Sequence, residues 1–260
     1  LAAFVLAAAG LAPQLQGTSL LVIGTIDEEG DARGSRHLAR TRQAPSCAII
    51  GEPSGWEGIT LGYKGVLSLT YRLARPGGHN AAEQPSPAEE AVSFWNRLAA
   101  HAQDYNAGME RRFLTLDPTL RTIRTSSDGL EERVTMQVAT RLPPGLDVEE
   151  LRSEMETWRG DAEVVFGPSD PPFQAEKNTP LVRALLRSIR ADGGRPRFKL
   201  KTGTSDMNVV GPAWGCPMVA YGPGDSSLDH TPQEHVEIPE YLRGISVLTH
   251  ALETLVGRGE

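Results

Sequence analysis

The chain has 260 residues, 39% of them hydrophobic, enough to bury one large core or two modest ones. Its formal net charge of -7, without any long run of like charges, argues against nucleic acid as the main partner. Only two cysteines occur, Cys47 and Cys216, and neither sits in a CxxC or Cys/His pattern. That argues against a thiolate zinc site and fits a reducing, cytoplasmic setting in which both thiols are small apolar residues.

The first twelve residues, LAAFVLAAAGLA, are dense in Ala and Leu and predict a buried helix. No basic segment precedes them and the run falls well short of the ~20 apolar residues of a membrane span, so no membrane partner is expected. A chain that opens inside a helix with Leu1 has the look of a fragment. Residues 20–26 predict a buried strand that runs into Asp27, Glu28 and Glu29, and RGSRHLARTR predicts a helix. A second short strand, 46–50, ends at Gly51-Glu52-Pro53. Two strands joined through a helix suggest a parallel sheet, whose sites gather at the carboxyl ends of the strands.

The pattern then changes. GVLSLTYRLAR alternates apolar and polar like a half-buried strand, and a helix follows with Ser86 as its cap and Pro87 in its first turn. Strands are expected within RFLTLDPTLRTIRTS and ERVTMQVATRLPPG, then a helix capped by Asp147, then the strand DAEVVFGP. This strand–helix–strand–strand–helix–strand order over about 63–167 matches a ferredoxin-like sandwich. A helix at 179–192, the segments RPRFKLKTGTSDMNVV and PMVAYGPGD, and a helix at 239–256 return to α/β character. The fold expected is α/β: residues 1–62 and 169–260 form one domain, a mixed sheet flanked by helices, interrupted by an inserted α+β domain at 63–168.

Neighbouring residues on extended backbone point to opposite sides, so Glu28 and Glu29 can divide the work of base and metal ligand. Glu52, also just past a strand, would converge with them, and a divalent cation would relieve the repulsion. His230 and His235 compete as imidazole ligands, since no HExxH spacing selects between them. His79 occupies a glycine-flanked loop, RPGGHNAA. In KTGTSDMN, Gly203, Thr204, Ser205, Asp206 and Asn208 offer small hydroxyls and backbone N–H groups to a carboxylate or carbonyl. Arg141 could grip a carboxylate bidentately and Lys64 offers a point charge. From the residues alone, the expectation is a metal hydrolase with an inserted domain.

The strings DEEG, IIGEPSGWEGITLGYKG, GGHN, FKLKTGTSDMN and MVAYGPGDSSLDHTPQEHVEI together resemble the M20 family of dinuclear metallo-aminoacylases, through essentially the whole chain. The resemblance is to the branch that releases lysine or ornithine from the C-terminal glutamate side chain of an acidic amino-group carrier protein, in lysine and arginine biosynthesis. It implies a zinc-peptidase-like catalytic domain, two divalent metal ions (zinc, or cobalt), and a homodimer formed through the inserted domain. By the same resemblance Glu28 is the general base, Glu29, Glu52 and His230 are metal ligands, and His79 meets the oxyanion from the partner subunit. Arg141, Lys64, Gly203, Thr204, Ser205 and Asn208 are implied as substrate contacts. Acetylornithine deacetylase, succinyl-diaminopimelate desuccinylase and dipeptidase activities belong to the same family and are the alternatives, with a non-catalytic scaffold beside them. The family's His-x-Asp motif and later bridging Asp have no counterpart before the LAAF segment, so the expectation for this chain alone is weak metal binding and little hydrolysis.

Overall fold

The structure is a computed structural model that describes every residue except 12, 14, 16, 78–83 and 258–260. In chain order the elements begin with α1 (Ala2–Leu11), α2 (Arg33–Thr41), β1 (Ala48–Gly51), β2 (Gly58–Tyr63), β3 (Gly65–Pro76), α3 (Pro87–Tyr105), β4 (Asp117–Ser127) and β5 (Glu131–Leu142). They continue with α4 (Val148–Trp158), β6 (Glu163–Asp170), β7 (Phe173–Gln174), α5 (Pro180–Ala191), β8 (Arg197–Lys201), α6 (Asp206–Trp214), β9 (Met218–Tyr221) and α7 (Ile238–Val256). Two compact units result. Leu1–Tyr63, Phe173–Lys201 and Ser205–Glu260 make the first; Lys64–Pro172 and Thr202–Thr204 make the second.

The first unit is built on a mixed sheet of order β1-β9-β2-β7, with β8 also paired to β2. β1 and β9 run parallel, β2 crosses to antiparallel at Thr60 opposite Ala220, and β8 lies parallel to β2. All four residues of β9 are buried because helices cover both of its faces. Val219 and Tyr221 pack with Ala3 and Ala7 of α1, Leu181, Leu185 and Ile189 of α5, and Val247 and Leu248 of α7. Met218 and Ala220 pack on the other side with Met207 and Val210 of α6. Each fully buried Leu or Val here contributes about 1.5–3 kcal/mol relative to exposure.

Residues 20–26, expected as a buried strand, form none. Leu21 and Ile26 are each 67% exposed, and among the described residues the segment has no ladder partner. Extended apolar residues become a strand only when a neighbour satisfies their backbone groups. The parallel neighbour of β1 is therefore β9, far along the chain. Gly58–Tyr63, for which the sequence predicts no strand, is wholly buried and is the strand that joins β9, β7 and β8.

The second unit carries a four-stranded antiparallel sheet of order β4-β5-β3-β6. Leu67, Leu69, Tyr71 and Leu73 alternate inward along β3 and share one core with Phe94 and Leu98 of α3 and Leu151 and Met155 of α4. Both helices start where their caps dictate. Ser86 and Glu89 form a reciprocal capping box before Pro87, and the Asp147 carboxylate accepts from the Glu149 and Glu150 amides. β4 lies at the sheet edge and is mostly exposed, and it starts at Asp117, after a short 3-10 turn over Arg112–Leu114. Among the described residues no helix is long and apolar enough to cross a membrane.

Candidate metallohydrolase site

The acid turn is shaped by backbone geometry before any catalytic chemistry. Asp27 adopts a left-handed conformation, φ 65°. Its carbonyl accepts from Gly30 and Ala32, and its carboxylate accepts from Arg33 Nε at 2.8 Å, which holds the Asp27 carboxyl below its usual range. The acid without an assigned role thus closes the turn at the head of α2. Beside it, Glu28 is half-buried while Glu29 is exposed. Burial, followed by the Glu29 and Asp206 charges, pushes the Glu28 carboxyl up.

Glu52 leaves the end of β1 partly buried. Burial first, then the charge of Glu28, pushes its carboxyl up to about 7. Lys201, at the end of β8, opposes this with its positive charge while its ammonium donates to the Pro53 carbonyl at 2.6 Å. Asp206 and Asp229 add further negative charge at Glu52. Four carboxylates from separate segments therefore share one field, which is where a bound cation would lower the energy most.

His230 is also left-handed, φ 61°, with its backbone N–H bonded to Glu234. Its Nε2 stands 3.6 Å from the Glu29 carboxylate. His235, the competing candidate, instead faces the Gln233 carbonyl and Glu237. The donor types, carboxylate and imidazole, suit a divalent cation. Their number at close range does not: among the described residues no three His, Cys, Asp or Glu side chains converge tightly enough to hold a metal ion.

The remaining predicted residues divide. Ser205 and Asn208 are buried and form the capping box of α6, Ser205 N donating to Asn208 Oδ1 at 2.9 Å and Ser205 Oγ accepting from Met207. Around Gly203 there is open space, and Thr204 Oγ1 accepts from Arg141 Nη1 at 3.3 Å within the second unit. Burial and the Arg121 charge disfavour the charged form of Arg141. Lys64 was expected to present a charge to substrate; its side chain is instead fully buried in the second unit. Its ammonium donates to Arg112 O, Thr115 Oγ1 and Asp117 Oδ2, the last at 2.6 Å. His79 lies outside the described residues. Cys47 and Cys216 are both free thiols.

Asp206, named above only as part of the KTGTSDMN loop, and Asp229, not singled out from the sequence, both add negative charge at Glu52. Asp206 opens α6, is 9% exposed, and accepts from Thr25 Oγ1 at 2.7 Å. The available signal was its place in the first helical turn, where a carboxylate is favoured by the helix dipole. Asp229 directly precedes His230. Elsewhere in the first unit a pocket of about 290 Å³ is lined by Ser54, Trp56, Arg197, Lys199, Asp225 and Glu240 among others, and by none of the predicted residues.

Residues 1–254 match the description Peptidase family M20/M25/M40. The chain is 38% identical over 263 aligned residues to LysW-lysine hydrolase of Deinococcus radiodurans, covering 99% of this chain and 73% of that protein. In fold it is similar to an M20 family metallo-carboxypeptidase, Sso-CP2, of Sulfolobus solfataricus, with TM-score 0.72 and 15% identity over 98% of this chain and 74% of that one. Aminopeptidase PepT of Bacillus cereus is comparable, with TM-score 0.71 and 16% identity over 90% of this chain and 63% of that one.

Proposed function

Because this chain belongs to peptidase family M20/M25/M40, we propose that it supplies the chemistry of a metal-dependent amide hydrolase that frees lysine, or ornithine, from the C-terminal glutamate side chain of an acidic amino-group carrier protein. The observation that carries this reading is the 38% identity to LysW-lysine hydrolase across 99% of the chain. Such an activity belongs to lysine and arginine biosynthesis in the cytoplasm, a setting that suits two free thiols.

In this proposal Glu28 takes the proton of the attacking water and delivers it to the leaving amine, a task suited to a half-buried carboxyl whose proton affinity is raised. Glu29 and His230 would hold one divalent cation, zinc or cobalt, and Glu52 a second; when bound, such ions supply an acidified water and polarise the scissile carbonyl. Arg141 and Thr204 bind a substrate carboxylate, with Gly203 leaving room for it. Ser205 and Asn208 act indirectly, by fixing the start of α6. The second unit is proposed to be a ferredoxin-like dimerisation domain, supported by its strand order and the exposed edge strand β4, with His79 meeting the oxyanion of the partner subunit.

The test is to load the full-length protein with zinc or cobalt and offer it carrier-linked lysine, carrier-linked ornithine, acetylornithine, succinyl-diaminopimelate and a dipeptide. Release of lysine or ornithine from the carrier alone is expected. Preferential cleavage of acetylornithine, succinyl-diaminopimelate or the dipeptide would replace this reading with another activity of the family, which the fold likeness to an aminopeptidase and a carboxypeptidase keeps in view. No hydrolysis of any of them would leave a scaffold role.

A further inference from the structure

The acid turn has an anchoring problem. Residues 20–26 lead into Glu28 and Glu29 without a strand partner among the described residues, and the backbone hydrogen bonds of the turn are local: Gly30 and Ala32 bond to Asp27, and Gly34 bonds to Ile26. A carboxylate that must meet a water within a few tenths of an ångström needs a more distant reference point.

One hydrogen bond supplies it. Thr25 Oγ1 donates to Asp206 Oδ2 at 2.7 Å, joining residues 181 apart in sequence. Asp206 is itself rigidly placed. It opens α6, whose start is fixed by the Ser205–Asn208 box and whose next residue, Met207, is fully buried in the core with Tyr63 and Met218. The bond is part-buried, so water competes with it weakly. The other oxygen of Asp206, Oδ1, is buried and has no hydrogen-bond partner among the described residues, so the Thr25 bond is the contact that orients this carboxylate.

We propose that Thr25 and Asp206 are positioning residues, a tether from the first turn of α6 that sets where the Glu28 carboxylate stands. The hydrolytic part of this assignment rests on the function proposed above; the tether itself does not. The valine of Thr25→Val keeps the branched shape and removes only the hydroxyl, and Thr25→Ser restores a donor. Both variants are made in the full protein. Amide hydrogen exchange reads the tether directly: exchange over 24–31 should quicken on the order of fivefold in Thr25→Val, with α6 unchanged, and return toward normal in Thr25→Ser. With carrier-linked lysine, kcat should fall ~10- to 100-fold in Thr25→Val with KM and bound zinc unchanged, and Thr25→Ser should recover most of it.

Native exchange over 24–31 in Thr25→Val overturns the tether. Faster exchange with a normal kcat overturns the positioning role, as does a loss that Thr25→Ser fails to rescue or that tracks lost zinc. If the unmodified protein leaves carrier-linked lysine intact, the hydrolase reading fails alone, because the exchange measurement still decides whether Thr25 and Asp206 hold the turn.

Discussion

Glu28 and Glu29 are adjacent in sequence and unlike in environment, and that difference is the substance of the site at the scale of single residues. Glu28 is half-buried with a raised proton affinity, while Glu29 is exposed and 3.6 Å from His230. Glu28→Gln should therefore lower hydrolysis by ~10²- to 10⁴-fold and leave bound metal unchanged by elemental analysis. Glu52 predicts a pH effect in protein stripped of metal by a chelator. Its carboxyl is raised from 4.5 to about 7, so the folded chain binds that proton more tightly than the unfolded chain. The stability this confers is complete below the unfolded value and is lost as pH rises toward the folded one. The unfolding free energy from urea titrations should accordingly fall between about pH 4 and pH 8, by at most roughly 3.5 kcal/mol, since a rise from 4.5 to about 7 at about 1.4 kcal/mol per pKa unit sets that ceiling. Glu52→Gln should flatten that slope. An equally steep slope in the variant would assign the effect to other groups.

Local chemistry decides several elements outright. Ser86, Pro87 and Glu89 are readable as a helix start, and the capping box forms as those residues dictate. Ser86→Ala should cost about 1 kcal/mol, measured by denaturant titration. The strand at 20–26 shows the opposite case, because apolar pattern alone does not supply a ladder. Lys64 makes the same point for charge. Read as a lone cation it suggests a substrate contact; folded, it is buried among Arg112, Thr115 and Asp117. Lys64→Met should destabilise the second unit by about 2 kcal/mol, as expected for lost hydrogen bonds to a charged group. KM for carrier-linked lysine should not move. A raised KM at unchanged stability would return Lys64 to the substrate.

At the scale of the whole molecule, each unit has its own core, and the candidate site in the first unit draws on segments far apart in the chain. The acid turn, the end of β1, the start of α6 and the Asp229–His230 loop all contribute. The exposed edge strand of the second unit bears on assembly. If the proposed homodimer forms there, sedimentation should give twice the chain mass. Ile123→Lys, a charge on β4 where Ile123 is 41% exposed, should reduce it to one. A monomeric unmodified protein, or an unaffected dimer in the variant, would place the interface elsewhere or remove it.

Local chemistry sets the helix caps at Ser86 and Asp147 and the alternation of β3, whereas Glu28, Glu29, Glu52 and His230 enter as site candidates through the resemblance to the M20 family. Tertiary structure alone decided which distant groups share a field. That Glu52 feels Glu28, Lys201, Asp206 and Asp229, that His230 rather than His235 stands beside Glu29, and that Thr25 meets Asp206 all depend on strand order and helix placement. The physical reason is range. A cap or an alternating strand is settled within a few residues, whereas a proton affinity or a tether depends on charges and acceptors that only folding brings together.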